Sequence, residues 1–234
     1  MNVFSNTGLC QVETIYHSID TFTFNEFCQK NRYLLKKNEN LYLVLFWLYN
    51  QFKGYKEFYD QFQKHNGFEI FEICKTSYSP NCACFAIMLN DLLISLGYKS
   101  KAVWCLSSDH EDNECHALNH VWVDKLNSWI VMDPSSCSII CNEEGMPIDL
   151  LTMRETIYSG RLVYPHRNKT IRQPRSFIIE YNNYMRKNIF QFLTHREQGL
   201  SYPLNHEALL IHPIGYTPRQ DKKWEQTTDI SYIY

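Results

Sequence analysis

Three separated residues in this chain could together do thiol chemistry. Cys82 opens the run NCACFAIMLNDLLISLG at its second position, His120 sits in NHVWVD, and Asp133 ends WIVMD just before Pro134. A thiolate attacks carbonyl carbon, an imidazole carries the proton, and a carboxylate holds the imidazole in its working orientation. Cys82 directly follows SYSPN, which places it in the first turn of a helix. There the unpaired backbone N–H groups and the positive end of the helix dipole favour thiolate over thiol. Cys84 lies two residues on, about 200° around a helix of 3.6 residues per turn. The two thiols therefore face different ways, and Cys84 is read as structural, as are Cys10, Cys28, Cys74, Cys105, Cys137 and Cys141.

The elements that must position these residues follow from periodicity. From Thr23 to His65 the apolar residues recur at helical spacing, broken at Gly54 and resuming in YKEFYDQFQKH, which predicts two or three helices. Over 82–96 Phe85, Met88, Leu89, Leu92, Leu93 and Leu96 share one face, and Gly97 stands where a helix C-cap belongs. SKAVWCLS reads as a strand, SDHEDNECHAL as a polar exposed loop, and NHVWVDKLNSWIVMDPS as two strands joined by a short turn. If Asp124 lies opposite Trp129, then His120 lies opposite Asp133 on the same sheet face. Trp122 and Trp129 would share that face, leaving Val121, Val123, Ile130 and Met132 as an apolar layer on the other. A helix around IDLLTMRETIYSG, a longer one from about Ser176 to Thr194 and a strand in EALLIHPIGY complete an α+β pattern. EYNNYMRKNIFQF and LLIHPIGYTPRQDKKW mix aromatics with Arg and Lys but read as packed elements rather than as pocket lining.

The run Cys82, Phe85, Ala86, Leu92, Leu93, Gly97, followed by HVWVD, a turn and WIVMDP, resembles the core of the transglutaminase-like superfamily over about residues 78–135. That resemblance implies a papain-like α+β fold, with the cysteine at a helix N-terminus and the histidine and aspartate on neighbouring strands. It implies Cys82 as nucleophile, His120 as general base and Asp133 as the orienting residue. It also implies an upstream Tyr, Trp or Gln beside the oxyanion, for which Tyr78 is the candidate, while Trp122 and Trp129 are placed to wall a cleft. The expected organisation is one domain over 1–234, with a helical part to residue 77, the core over 78–135 and a C-terminal elaboration over 136–234. Asn81 and Cys84 depart from the residues common in the family at those positions. No acidic calcium loops accompany the core.

The chemistry expected is acyl transfer or hydrolysis of an amide through a cysteine thioester, on a peptide, a protein or a small amide. No metal or cofactor is called for. Two other readings compete. Cys82, Cys84, Cys115, His116 and His120 form the groups CAC and CHALNH, which could hold zinc but lack the usual ligand spacing. A binding module that kept the fold without the activity is the other. The 23 basic and 25 acidic residues give a net charge of −2, which argues against nucleic acid as main partner. No run of eighteen apolar residues and no basic-then-apolar leader appears, and nine cysteines at irregular spacing fit free thiols, so a cytoplasmic protein away from membranes is expected.

Overall fold

The computed structural model describes residues 40–52, 57–62, 65–109, 111–168, 172–195, 208–218 and 224–234. The expected helices of 23–39, the break at Gly54, and Cys10 and Cys28 lie outside the described residues. The fold is α+β. Among the described residues an eight-stranded sheet, antiparallel except at one edge, carries five α-helices on its two faces.

In chain order the helices are α1 (Leu41–Asn50), α2 (Gly67–Thr76), α3 (Cys82–Ser95), α4 (Leu150–Tyr158) and α5 (Arg175–Asn188). The strands are β1 (Ser100–Leu106), β2 (Cys115–Val123), β3 (Ser128–Asp133), β4 (Ser138–Cys141), β5 (Tyr164–His166), β6 (Gln191–His195), β7 (Ala208–Ile211) and β8 (Glu225–Thr227). They lie in the order β5-β4-β3-β2-β1-β6-β7-β8, with only β7 and β8 parallel. The helix–meander core expected from sequence thus forms the centre of a wider sheet. Strands from after Pro134 extend it on both sides.

Strand alternation divides the core in two. Ala102, Trp104, Ala117, Val121, Val123, Ile130 and Met132 pack with α1, α2 and α3. Val103, Cys105, Leu118 and Val131 pack with α4, α5 and Ile233 from the C-terminal turn. A sheet covered on both faces needs apolar residues at nearly every position, which is why β1 is buried almost throughout.

Several segments differ from the periodicity reading. Residues 57–61 do not form a helix. Phe58 instead makes a parallel bridge to Ser79, with Tyr59 N donating to Ser79 O at 3.0 Å. A helix not anticipated, α2, starts at Asn66, which makes a capping box with Glu69. Gly67 is needed there, because a Cβ would sit 2.8 Å from Asp91 Oδ2 and 2.9 Å from Met88 Cα. The C-terminal helix ends at Asn188 rather than near Thr194, and Gln191–His195 pairs with β1 and β7. Gly97 does end α3 with a left-handed φ of 89°.

The β2–β3 register also differs, and it governs the site. Trp122 pairs with Trp129 and Val123 with Ser128, so His120 pairs with Val131 and not with Asp133. The reason lies in the connection. Asp124–Leu126 form a 3-10 turn and Asn127 takes φ 47°, a left-handed conformation that asparagine tolerates, so four residues separate the paired strands. The partner of His120 is thus two positions from the expected one, an even slip that preserves the faces. Val121, Val123, Ile130 and Met132 still form one apolar layer, and Trp122 and Trp129 still lie on the side of His120. Carried one residue further, the register sets Asp133 beside Leu118, with His116 and His120 as its two diagonal neighbours.

Candidate active site

Asp133 takes His116, not His120. His116 Nε2 and Asp133 Oδ2 are 2.8 Å apart, both side chains being nearly or fully buried. SDHEDNECHAL reads as a loop from its polarity, but its last four residues begin β2. His116 is therefore a strand residue facing the α5 side. Asp133 is held from its other oxygen as well. Oδ1 accepts from Ser135 N at 3.1 Å, Ser135 Oγ at 2.7 Å and Ser136 N at 3.2 Å. A fully buried carboxylate is costly unless its lone pairs are used, and the DPSS turn supplies those donors locally.

The same turn opens the place that Cys82 fills. Pro134 lacks an N–H and the chain turns away after Asp133, so the β2–β3 ladder stops at Asn119 and Met132. The main-chain groups of Cys115 and Ala117 lie beyond that stop, and both engage the thiol. The Cys82 sulfur lies 3.9 Å from Cys115 O and accepts from the Ala117 N–H. In effect the nucleophile candidate sits where a longer β3 would have continued the ladder.

Helix α3 delivers Cys82 there. Asn81 caps the helix, its side chain accepting from Cys84 N at 2.9 Å while its amide donates to Tyr59 O at 3.3 Å. Cys82 is the first helical residue and is partly exposed. Cys84 points into the core, with its sulfur 3.6 Å from Tyr59 O. Contact with the Cys74 thiol and burial push Cys84 far above the usual thiol range. The two cysteines are separated as helix phase requires.

The electrostatics of Cys82, His116 and Asp133 follow from their contacts. Burial penalises the Cys82 thiolate, but the His116 hydrogen bond and charge and the Ala117 N–H outweigh it and bring the thiol below its ordinary value. Burial likewise opposes charge on His116, yet the Asp133 carboxylate beside it and the hydrogen bond to Cys82 raise the imidazole to about 10. Burial alone would raise Asp133; His116 and the Ser135 and Ser136 donors hold it below the usual carboxylate range instead. With Nε2 committed to Asp133, Nδ1 is the ring nitrogen left for the sulfur. The contacts move the trio in the direction of a thiolate beside an imidazolium beside a carboxylate.

His120 has a different environment. Its Nδ1 hydrogen-bonds Ile233 O at 3.2 Å, its Nε2 accepts from Leu150 N at 3.4 Å, and its ring lies 4.9 Å from Trp129 and 5.5 Å from Tyr234. Burial drives it down to about 4, so it is a neutral packing residue at neutral pH. Trp122 and Trp129 stay with it, 6.0 Å apart, and Trp122 Nε1 donates to Asp124 Oδ1 at 2.7 Å. Tyr78 is exposed and packs 5.4 Å from Tyr59. The rings that do touch His116 come from α5, in the EYNNYMRKNIFQF segment. Tyr184 stands edge-on to it at 5.5 Å and Tyr181 at 6.4 Å. Their positions at i and i+3 on one helix face were the available signal.

Among the described residues no three His, Cys, Asp or Glu side chains are grouped to hold a metal ion, and no helix is long and apolar enough to cross a membrane. Cys82, Cys84, Cys105, Cys115, Cys137 and Cys141 are thiols and not half-cystines. No family model matches the chain, and no curated protein is significantly similar to it.

Proposed function

We propose that this protein is a thiol-dependent acyltransferase or amide hydrolase working through a Cys82 thioester, with His116 as acid–base and Asp133 as its orienting carboxylate. The observation that carries the reading is the 2.8 Å bond from His116 Nε2 to Asp133 Oδ2, which leaves Nδ1 for a cysteine at a helix N-terminus. A cysteine on a helix N-terminus, a histidine at the start of one strand and an aspartate at the end of the next is the order of a papain-like centre. It supports placing the chain with the transglutaminase-like proteins that its sequence resembles, with His116 in the role that the resemblance assigns to His120.

In the first step the Cys82 thiolate attacks an amide carbonyl carbon and the carbon–sulfur bond forms. The α3 first turn, including the Cys82 N–H, offers donors to the developing oxyanion. As the carbon–nitrogen bond breaks, His116 gives its Nδ1 proton to the departing amine and becomes neutral. Asp133 keeps the ring oriented through Nε2 throughout. In the second step a water or an amine attacks the thioester, Nδ1 takes its proton, and the thiolate leaves to restore the ion pair. Water yields hydrolysis and an amine yields a new amide.

The test is acid-quench mass spectrometry of the purified protein after brief incubation with glutamine- and asparagine-containing peptides and small amides. The expected result is an acyl adduct on Cys82 that hydroxylamine removes and that is absent in Cys82→Ala. Absence of any adduct on Cys82 across peptide, protein and small-amide panels refutes the proposal.

A further inference from the structure

The Cys115 carbonyl oxygen is shared. The Cys82 sulfur lies 3.9 Å from it on one side, and the Tyr184 hydroxyl donates to it at 3.2 Å. An S–H that donates to a carbonyl is stabilised as thiol, and a thiolate beside the same oxygen is repelled by it. Whichever donor holds that oxygen therefore biases the sulfur. We infer that Tyr184 is a positioning residue of the thiol centre: by donating to the Cys115 carbonyl at 3.2 Å it draws off that oxygen's acceptor strength, weakens its long contact with the Cys82 S–H and turns the sulfur toward the His116 imidazole. The inference rests on the thiol-centre reading above.

Three further observations support it. The Tyr184 ring stands edge-on to His116 with an interplanar angle of 86°, so the group that holds the carbonyl also walls the imidazole. Its hydroxyl feels the Cys82 and Cys115 sulfurs directly, and burial with those two neighbours pushes it well above the ordinary phenol range, so it remains a donor wherever the thiol titrates. Helix α5 is also tied to the start of β2. Lys187, one turn beyond Tyr184, pairs with Asp112 at 2.9 Å and with Glu114 at 2.6 Å. The tie keeps the hydroxyl in register with Cys115.

The charged and titratable groups around the pair, among the described residues, are His116 and Cys115 on β2, Asp133 on β3, Cys105 on β1, Cys84 on α3, Tyr181 and Lys187 on α5, and Asp112 and Glu114 before β2; burial holds Cys105, and the Cys74 contact with burial holds Cys84, well above the ordinary thiol range. Tyr181 stays neutral, because burial and the adjacent Asp133 charge push its hydroxyl well above the ordinary range. Lys187 offsets the two loop carboxylates. Burial raises Cys115 to about 11, Tyr181 and Tyr184 are pushed above the ordinary phenol range and Asp133 is held below the carboxylate range, so His116 is the neighbour that shapes the Cys82 profile and a further shift on removing the Tyr184 hydroxyl reports on the shared carbonyl.

The experiment is the rate of Cys82 carboxamidomethylation by iodoacetamide against pH, read by peptide mass, in the wild type, Tyr184→Phe and His116→Ala. Tyr184→Phe retains the ring against His116, and a thermal melt checks its fold. The inference predicts a Tyr184→Phe profile with its midpoint raised by about half a unit to one unit, the size of one modest hydrogen bond. An unshifted midpoint in a folded Tyr184→Phe, with the wild-type midpoint still depressed relative to His116→Ala, overturns the role of Tyr184 alone. A wild-type midpoint equal to that of His116→Ala overturns the thiol-centre reading beneath it.

Discussion

Replacing Asp133 by Asn tests the buried charge pair on which the site depends. The substitution keeps an oxygen able to accept from Ser135 and Ser136, but it places an amide N–H₂ where Oδ2 accepts from His116. Two donors then face each other unless His116 loses its proton or the new amide turns. Removing one partner of a buried ion pair costs about 3–5 kcal/mol, and with the Ser135 and Ser136 bonds retained the lower end, about 3 kcal/mol, is expected. The pH dependence identifies the cause. His116 is raised from 6.5 to about 10, so its contribution is complete below pH 6.5 and is lost as pH rises through about 10. Asp133 is lowered, so its contribution is present above about 4 and is lost as acid protonates it. Urea unfolding at pH values of about 5.5, 7 and 10.5 should show the full difference between wild type and Asp133→Asn at the lowest value, a somewhat smaller one near 7 and the smallest at the alkaline end. A difference below about 1 kcal/mol near neutral pH, or one equally large at the alkaline end, would refute the buried imidazolium.

Other outcomes are specific to single residues. His120 is lowered from 6.5 to about 4, so unfolded chains take up its proton first and the wild type loses about 3 kcal/mol as pH falls across that window. His120→Phe should flatten that slope in acid unfolding, while iodoacetamide still labels Cys82 at the wild-type rate. Cys84→Ala should cost about 1 kcal/mol in thermal or urea unfolding, through lost packing against Cys74 and Tyr59, and leave the Cys82 rate unchanged. Asn81→Ala removes the α3 cap and should cost about 1 kcal/mol by urea unfolding.

The helix of Cys82, the separation of the two cysteines and the division of the β2 and β3 faces were all legible in the sequence. Each of these depends on residues within one element. The identity of the histidine depended instead on register. His116 and His120 have the same parity on β2, so the face alone admits either. What chooses between them is the conformation of four residues, Asp124 to Asn127, and the asparagine that takes the left-handed position was the only mark of it. The polar run before Cys115 hid the start of the strand, because charged residues continue to Glu114 while backbone pairing with β1 begins at the very next residue. The end of α5 was misplaced near Thr194 although two marks preceded it: Arg186 and Lys187, basic residues in a last turn, and the β-prone run IFQFLT that follows. For Tyr184 the sequence offered only its i, i+3 spacing from Tyr181; its contact with Cys115 O joins residues 69 positions apart and was not legible.

The most direct test of the account compares Cys82 labelling at a pH of about 6, where an unperturbed thiol is almost wholly protonated, in the wild type, His116→Ala and His120→Ala, with limiting iodoacetamide and peptide-resolved mass spectrometry. The account predicts that Cys82 reacts ahead of the other thiols in the wild type, that His120→Ala retains this preference, and that His116→Ala abolishes it. Preferential labelling that survives His116→Ala, or that fails in a folded His120→Ala, would contradict it.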